Sequence, residues 1–329
     1  MPSRIDIYKQ LKREYDEAQN RAIYELRERR NFAYTRVPRI EEIEREIGLL
    51  GVKAARIAIN GNDMENKILK LKEDIKILNE EKVKLLKEIK CRPDYLNIIY
   101  ECEKCQDTGF VDGKECSCFT QRKIELAYMK SNLKEILKNE NFDTFDFKYY
   151  SDEKDEKYGI SPLENIRKIH KVCTQFGEND KFENLFLYGD SGLGKTFLCN
   201  CIAEKMLKED HIVLYVTAPQ LFKILSDEQF NNNENDESRK EYIDDITSVD
   251  LLIIDDLGTE FSTSFTQTEF FNIINTRMLN RHSTIISSNL SPFDLAEEYS
   301  ERTMSRIIGN YTALKFFGDD IRLKKEEIN

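Results

Sequence analysis

The stretch from Phe182 to Thr196 constrains the fold of this chain more than any other. Phe182–Tyr188 is largely apolar and predicts a buried strand, and the residues after it read Gly-Asp-Ser-Gly-Leu-Gly-Lys-Thr. This is the pattern G-x4-G-K-T, whose glycines let the backbone wrap around a phosphate at the N-terminus of a helix. In such a loop Lys195 neutralises the charge of the β- and γ-phosphates, and the Thr196 hydroxyl binds Mg²⁺. The sequence therefore predicts an α/β domain that binds a nucleoside triphosphate.

A second buried strand is predicted at Leu251–Ile254, and two carboxylates, Asp255 and Asp256, follow it directly. In a parallel sheet the carboxyl end of such a strand lies beside the phosphate loop. We therefore expect Asp255 to hold Mg²⁺ and Asp256 to orient or deprotonate the attacking water. A solvated acidic pair is the alternative, and the apolar residues before the pair argue against it.

Polar candidates follow two later elements. The predicted strand Ser283–Ser288 ends at Asn289, which is expected to hydrogen-bond the γ-phosphate or the attacking water. Asparagine before a turn is also common as a plain turn residue, so that interpretation stays open. Arg302 and Arg306 lie four residues apart on one helix face, where they either pair with nearby acids or reach the phosphate of a neighbouring subunit.

Four of the eight cysteines are clustered. They form a C-x2-C half and a C-x-C half, separated by a turn that contains Gly109 and Gly113. Because glycines permit the tight reversal that four thiolates need, the pattern predicts a tetrahedral structural zinc site without an open position. An iron–sulfur cluster and unmetallated thiols are the alternatives. The four predicted ligands are Cys102, Cys105, Cys116 and Cys118.

The N-terminal part is predicted to be helical. Residues 3–60 have the apolar spacing of two amphipathic helices, the second beginning at Pro38. Residues 63–91 then carry a heptad seam that contains Lys82. Packing within the chain is the favoured interpretation of the seam, and a partner or self-association helix is the alternative.

Composition excludes several classes of protein. The 329 residues contain no apolar stretch near the ~20 residues of a membrane span and no apolar signal core at the start, which argues against a membrane or secreted protein. The net charge of −11 argues against a nucleoid role, so any DNA contact needs a local basic surface. Arg277 and Arg281 are candidates for that contact, although a solvated helix end is the favoured interpretation. The cysteines without a secretory segment indicate a reducing compartment, and we expect a cytoplasmic location.

The order of the motifs resembles that of AAA+ ATPases of the helicase-loader branch, the DnaC/DnaI type, with IstB-type transposition ATPases as close relatives. The resemblance covers about residues 140–325 and rests on G-D-S-G-L-G-K-T, L-L-I-I-D-D-L-G, I-I-S-S-N-L and E-R-T-M-S-R. A cysteine cluster beside a helical N-terminus is similar to the DnaI-like form, whose N-terminal domain grips the replicative helicase.

This resemblance implies an AAA+ P-loop fold, in which helices flank a parallel sheet and a lid is small or absent. A mainly helical helicase-docking domain, residues 1–140, is expected before it, with the heptad helix 63–91 and the zinc module 102–118. Residues 141–160 are predicted to be a linker and 161–329 the ATPase domain. Few residues follow Arg322, so we expect neither the usual helical lid nor a helix-turn-helix reader of duplex DNA.

The resemblance also implies roles for individual residues and the cofactors ATP, Mg²⁺ and structural Zn²⁺. Asp255 and Asp256 match Walker B, Asn289 matches sensor 1, Arg306 matches the arginine finger with Arg302 as a weaker candidate, and Arg322 matches sensor 2. The second Walker B acid is aspartate where most motor ATPases carry glutamate, so hydrolysis is expected to be slow. The predicted nucleotide-binding residues are Gly189, Asp190, Ser191, Gly192, Leu193, Gly194, Lys195, Thr196, Phe197 and Arg322.

The function implied by the resemblance is ATP-dependent loading of the replicative hexameric helicase onto single-stranded DNA, during replication initiation or restart. The chain is then expected to self-associate through the ATPase domain and to have no membrane partner. Two alternatives stay open: an IstB-type helper of a DNA transposase, and an adaptor that uses ATP only as a structural ligand. Replication initiators rank below these, because no duplex-reading domain is expected after Arg322.

Overall fold

The computed structural model describes residues 4–60, 64–128, 133–178, 181–230, 243–260 and 263–323. The chain divides into two compact units, one formed by Lys9–Cys116 and the other by Met1–Tyr8 with Ser117–Asn329. This division differs from the predicted linker at 141–160. Helix Ser117–Tyr128 belongs with the second unit because Gln121 donates a hydrogen bond to the Val213 carbonyl at 3.2 Å and accepts one from the Val213 N–H at 2.9 Å.

The smaller unit is built mainly from long helices. Pro38 begins the second helix, as predicted, because its missing N–H would have no partner in the first turn. The heptad helix packs against that second helix within the chain. The Lys82 ammonium nitrogen lies 3.5 Å from a carboxylate oxygen of Glu44, and this ion pair explains the lysine inside the seam. Among the described residues, no helix is both long and apolar enough to cross a membrane. The long helices are Arg4–Arg36, Pro38–Asn60 and Met64–Glu88.

The larger unit contains a five-stranded parallel sheet in the order β4-β5-β6-β3-β7. Its strands are β3 (Asn184–Tyr188), β4 (Val213–Thr217), β5 (Leu251–Leu257), β6 (Ser283–Ser288) and β7 (Thr312–Lys315). The central strands are buried on both faces, which is why they appear in the sequence as apolar runs. The predicted parallel sheet flanked by helices is confirmed. The helices of this unit include Ser117–Tyr128, Leu133–Asn139, Pro162–Gln175, Lys195–Lys208, Ala218–Phe230, Ser264–Leu279, Pro292–Glu298 and Glu301–Asn310.

The close spacing of the phenylalanines in residues 142–147 is typical of an edge strand that packs on the sheet. The three phenylalanines of the segment do pack on the core beneath it, but the backbone forms two short 3-10 turns, Phe142–Thr144 and Phe147–Tyr149, instead of a strand. The Asn141 side chain accepts the N–H groups of Asp143 and Thr144, and such local bonds compete with strand pairing.

Arg277 corrects another expectation, because it is fully buried and is therefore excluded as a DNA contact. Its guanidinium donates to the carbonyls of Ile246, Val249 and Ser283 at 2.7, 2.9 and 2.6 Å and to the Thr284 hydroxyl at 3.0 Å. These acceptors lie just before β5 and at the start of β6, so Arg277 ties the two strand beginnings together. Burial lowers the pKa of Arg277 to about 9, which leaves it charged at neutral pH. Arg281 is exposed and remains a candidate.

Candidate nucleotide-binding site and cysteine cluster

The loop after β3 has the backbone that its glycines predict. Gly189 and Gly192 have φ angles of 140° and 76°, in the region that side chains rarely adopt. A Cβ atom at Gly189 would lie 2.2 Å from the Phe316 carbonyl oxygen, and one at Gly192 would lie 2.0 Å from an oxygen of Asp320. The Phe316 backbone therefore excludes a side chain at Gly189, and the positive φ angle disfavours one at Gly192.

Lys195 lies at the start of the helix that leaves this loop, with only 5% of its surface exposed. Its ammonium donates to the carbonyls of Gly189 and Asp190, both at 2.7 Å, and to the Asn289 side-chain oxygen at 2.9 Å. Burial lowers the pKa of Lys195, while Asp256 and Asp255 oppose that shift. The structure thus brings together the predicted phosphate-binding lysine and the predicted sensor asparagine.

Asp255 lies at the centre of a network of hydroxyl groups. Thr196 and Tyr215 donate to one of its carboxylate oxygens at 3.0 and 2.8 Å, and Ser287 donates to the other. A threonine hydroxyl facing a carboxylate is an all-oxygen donor set, which suits Mg²⁺. The residues present therefore fit the predicted Mg²⁺ ligands.

Sequence analysis missed Ser287 and Tyr215. Ser287 is a fully buried hydroxyl within the apolar strand β6, and Tyr215 is polar within β4. A hydroxyl inside a buried strand is a signal that could have identified both, since buried polar groups require partners.

Asp256 has an unusual backbone for a strand residue. Its φ angle is +59°, and the pairing of β5 with β6 is irregular between Ile254 and Leu257. The displaced N–H of Asp256 donates to the Ser287 hydroxyl at 3.0 Å. Burial and the neighbouring charge of Asp255 raise the pKa of Asp256, partly offset by Lys195 and Arg322. A carboxylate with a raised pKa is better suited to accept a proton near neutral pH.

Arg322 reaches the phosphate loop from the segment after β7. It donates to the Ser191 hydroxyl at 2.7 Å and to both oxygens of Asp320 at 3.0 and 3.1 Å. The N–H of Ile321 donates to the Gly192 carbonyl at 3.0 Å, so this segment lies directly on the loop.

The two remaining arginine candidates are exposed on helix Glu301–Asn310. Arg306 does not line the cavity of its own chain. Arg302 places its guanidinium 4.9 Å from the centre of the Phe271 ring. The action of Arg306 on a neighbouring subunit stays a prediction.

A cavity of about 310 Å³ lies over the loop. Its polar lining brings together the predicted phosphate-binding side chains with Asp256 and Asn289, and it adds one residue that sequence analysis did not select, Glu140. The lining residues are Glu140, Ser191, Gly192, Leu193, Gly194, Lys195, Thr196, Phe197, Asp256, Asn289, Ile321 and Arg322.

The four clustered cysteines come together as predicted. Their Sγ atoms all lie within 4.8 Å of one another, and the Cys102 and Cys116 sulfurs are 3.9 Å apart. Tetrahedral zinc with Zn–S bonds of ~2.3 Å needs sulfurs separated by about 3.8 Å, so the residues fit zinc. The identity of the metal stays a prediction.

A short hairpin, β1 (Phe110–Val111) with β2 (Lys114–Glu115), connects the two cysteine pairs. The carboxylate of Asp107 accepts the backbone N–H groups of Glu101 and Cys102 at 3.0 and 2.7 Å and thereby fixes the first half of the cluster. Asp107 was not selected from the sequence, although a buried acid between ligand pairs is a signal for such a role.

Residues 165–312 match the family model described as the bacterial DnaA ATPase domain. This part of the chain has the fold and the motif order of an AAA+ domain. It is homologous to the corresponding domains of DnaA and of the DnaC and DnaI helicase loaders. The order of its motifs, its parallel sheet and its phosphate loop agree with that assignment.

Three curated relatives illustrate the range of the homology. The chromosomal replication initiator DnaA of Bacteroides thetaiotaomicron is 36% identical over 143 residues, which cover 43% of this chain and 29% of DnaA. The replicative helicase loader DnaI of Bacillus subtilis is 28% identical over 145 residues, which cover 43% of this chain and 45% of DnaI. The replicative helicase loader DnaC of Buchnera aphidicola is 24% identical over 203 residues, which cover 61% of this chain and 76% of DnaC. The chain thus spans less than half the length of the first two relatives.

Proposed function

We propose that this chain is an ATP-dependent loader of the replicative DNA helicase onto single-stranded DNA and acts as a nucleotide switch. The observation that carries the proposal is the extent of the homology. The match with the loader DnaC covers 76% of that protein, whereas the match with the Bacteroides thetaiotaomicron DnaA covers 29%. The match thus extends over most of DnaC and over 45% of DnaI, but over a smaller share of DnaA.

In the proposed reaction, Lys195 and the loop amides bind the β- and γ-phosphates. Thr196 and Asp255 would hold Mg²⁺, which supplies positive charge against the phosphate oxygens. Asn289 orients a water against the γ-phosphorus, and Asp256 takes a proton from that water as the new P–O bond forms and the bond to the ADP oxygen breaks. Hydrolysis is slow because Asp256 has a shorter side chain than glutamate.

Two arginines complete the proposed site. Arg322 leaves Asp320, to which it bonds in the structure, and contacts the γ-phosphate. Arg306 of a second copy reaches the same phosphate, which makes assembly depend on ATP. Single-stranded DNA then binds to basic side chains on the assembled ATPase domains.

The cysteine cluster has a structural role in this proposal. Zinc held by Cys102, Cys105, Cys116 and Cys118 has no open coordination position, so it ties the hairpin to the residues on either side without taking part in catalysis. Together with the long N-terminal helices, this region contacts the helicase.

The test is to mix the full chain with the replicative helicase of its host and to measure the mass of the complex with ATP, with ADP and without nucleotide. We expect a complex whose composition changes with nucleotide and whose response to ATP is lost in Lys195→Ala. A helicase that never binds, under any nucleotide, contradicts the proposal and directs attention to a DNA-bound transposase as the alternative partner.

A second candidate function, a DnaA-like initiator, is favoured by the family model and by the 36% identity to DnaA. The two functions differ in the DNA they need. Tight binding to duplex origin DNA, in the absence of helicase, supports the initiator, whereas binding to single strands only in the presence of ATP and helicase supports the loader.

A further inference from the structure

Glu140 is a carboxylate in the nucleotide cavity that the proposed reaction does not use. It follows helix Leu133–Asn139, and its backbone N–H bonds to the Ile136 carbonyl at 2.8 Å. One carboxylate oxygen, Oε2, accepts a hydrogen bond from the Asn200 amide at 2.6 Å. Asn200 is only 3% exposed and lies on the helix that leaves the phosphate loop, so its amide holds Glu140 in place.

The position of Glu140 separates it from the phosphate end of the cavity. Asn200 lies four residues after Thr196, one turn further along the same helix. The negative charge of Glu140 contributes to raising the pKa of the buried Cys201 thiol, whereas the charges that act on Lys195 come from Asp256, Asp255 and Asp190. The positive end of the helix is at the phosphate loop, so the triphosphate occupies that end of the cavity. Glu140 therefore faces the part of the nucleotide that lies beyond the phosphates.

A carboxylate repels phosphate and accepts hydrogen bonds from neutral donors. Apolar side chains share the cavity lining with Glu140: Phe197, whose ring centre lies 5.5 Å from that of Phe145, together with Leu193 and Ile321. Apolar walls with one fixed acceptor form a site for a nucleoside, since a base packs on the walls and a hydroxyl or amino group donates to the acceptor.

We propose that Glu140 recognises the nucleoside of the bound triphosphate by accepting a hydrogen bond from a ribose hydroxyl or from the exocyclic amine of adenine. Asn200 is the positioning residue that orients the carboxylate. The inference rests on the proposed binding of ATP and specifies which part of the nucleotide this residue contacts.

The test is equilibrium binding of four nucleotides to the full chain: ATP, 2′-deoxy-ATP, 3′-deoxy-ATP and ITP. Wild type is compared with Glu140→Ala, with Glu140→Gln and with Glu135→Ala, a control on the preceding helix whose exposed side chain is outside the cavity. A hydrogen bond to a charged group predicts that Glu140→Ala weakens ATP binding about tenfold or more. Glu140→Gln keeps an oxygen acceptor and a similar size, so its affinity for ATP should fall less. This variant remains informative if thermal melting shows that the alanine variant is unfolded.

The analogues identify the donor. If the donor is a ribose hydroxyl, the wild type and Glu140→Ala should bind equally well the deoxynucleotide that lacks that hydroxyl. If the donor is the amine, ITP places a carbonyl oxygen against the carboxylate, so the wild type should bind ITP no better than Glu140→Ala does. Glu140→Ala binding ATP as tightly as wild type, or weakening all four nucleotides by the same factor, overturns the inference alone. A wild-type chain that binds none of the four overturns the proposed function and the inference with it.

Discussion

At the scale of single residues, the geometry around Asp256 is the most informative part of the site. A non-glycine residue with a positive φ angle is uncommon in a strand, and here it coincides with the irregular pairing of β5 with β6. The distortion removes the Asp256 N–H from the regular ladder and directs it to Ser287, which also donates to Asp255. Two strands and both acids are thereby linked through one hydroxyl.

Asp256 leads to a prediction on pH. If it takes the proton of the attacking water, it must be ionised, and its raised pKa moves the acidic limb of the turnover profile above the usual range of an aspartate near ~4. Turnover should therefore rise as pH increases through that pKa. Asp256→Asn should lower turnover about a hundredfold or more and remove this limb, while ATP binding stays close to wild type. Unchanged turnover in this variant would favour the adaptor interpretation.

Ser287 leads to a prediction with a matched control. Ser287→Ala removes the acceptor of the Asp256 N–H, so we expect kcat to fall about tenfold with little change in KM, because small displacements of a catalytic group are costly. Ser288→Ala is the control, since Ser288 is equally buried but bonds to Leu257 and Leu290 instead of to the acids. Ser287→Cys restores a side chain of similar size without a strong hydrogen-bond donor, so its kcat should stay low. Equal losses in the Ser287→Ala and Ser288→Ala variants would indicate a packing effect instead.

At the scale of elements, the parallel strands and the phosphate loop could be predicted from the sequence. Burial on both faces produces an apolar run, and the phosphate loop has a fixed glycine spacing. The burial of Arg277 could not be predicted, since it depends on acceptors from two separate segments, Ile246 and Val249 before β5 and Ser283 and Thr284 in β6. The turns at Phe142–Thr144 and Phe147–Tyr149 were missed because the aromatic spacing also suits a strand. For the site, residues within motifs were predictable, whereas Ser287, Tyr215 and Glu140 depend on which strands and helices become neighbours.

The cysteine cluster belongs to the element scale because it joins a hairpin to the chain on either side. Replacing Cys102 and Cys105 by serine should reduce the zinc content from about one ion per chain to near zero, since four thiolates complete the predicted coordination. We expect faster hydrogen exchange in the N-terminal helices and nearly unchanged ATP binding. Cys91→Ser is the control, because Cys91 is outside the cluster. Freshly purified protein without any metal would exclude the zinc prediction.

At the scale of the whole molecule, assembly should depend on a residue that does not contact the nucleotide of its own chain. Arg306→Ala should leave ATP binding unchanged but lower both ATP-dependent self-association and turnover, because the charge that completes the site comes from a second copy. Arg302→Ala tests the weaker candidate on the same helix, and we expect it to lower turnover less than Arg306→Ala does. Mass measurements with ATP report assembly, and equal turnover per chain in Arg306→Ala and wild type would remove Arg306 as the finger.

Under the proposed function, this chain transfers a replicative helicase onto single-stranded DNA under the control of ATP. The most direct measurement is the amount of helicase retained on closed circular single-stranded DNA, with and without the chain, since a closed circle cannot be threaded from an end. The account predicts that wild type with ATP increases the retained helicase severalfold, while Lys195→Ala has little effect. Equal retention with wild type, with Lys195→Ala and with no added chain would contradict it.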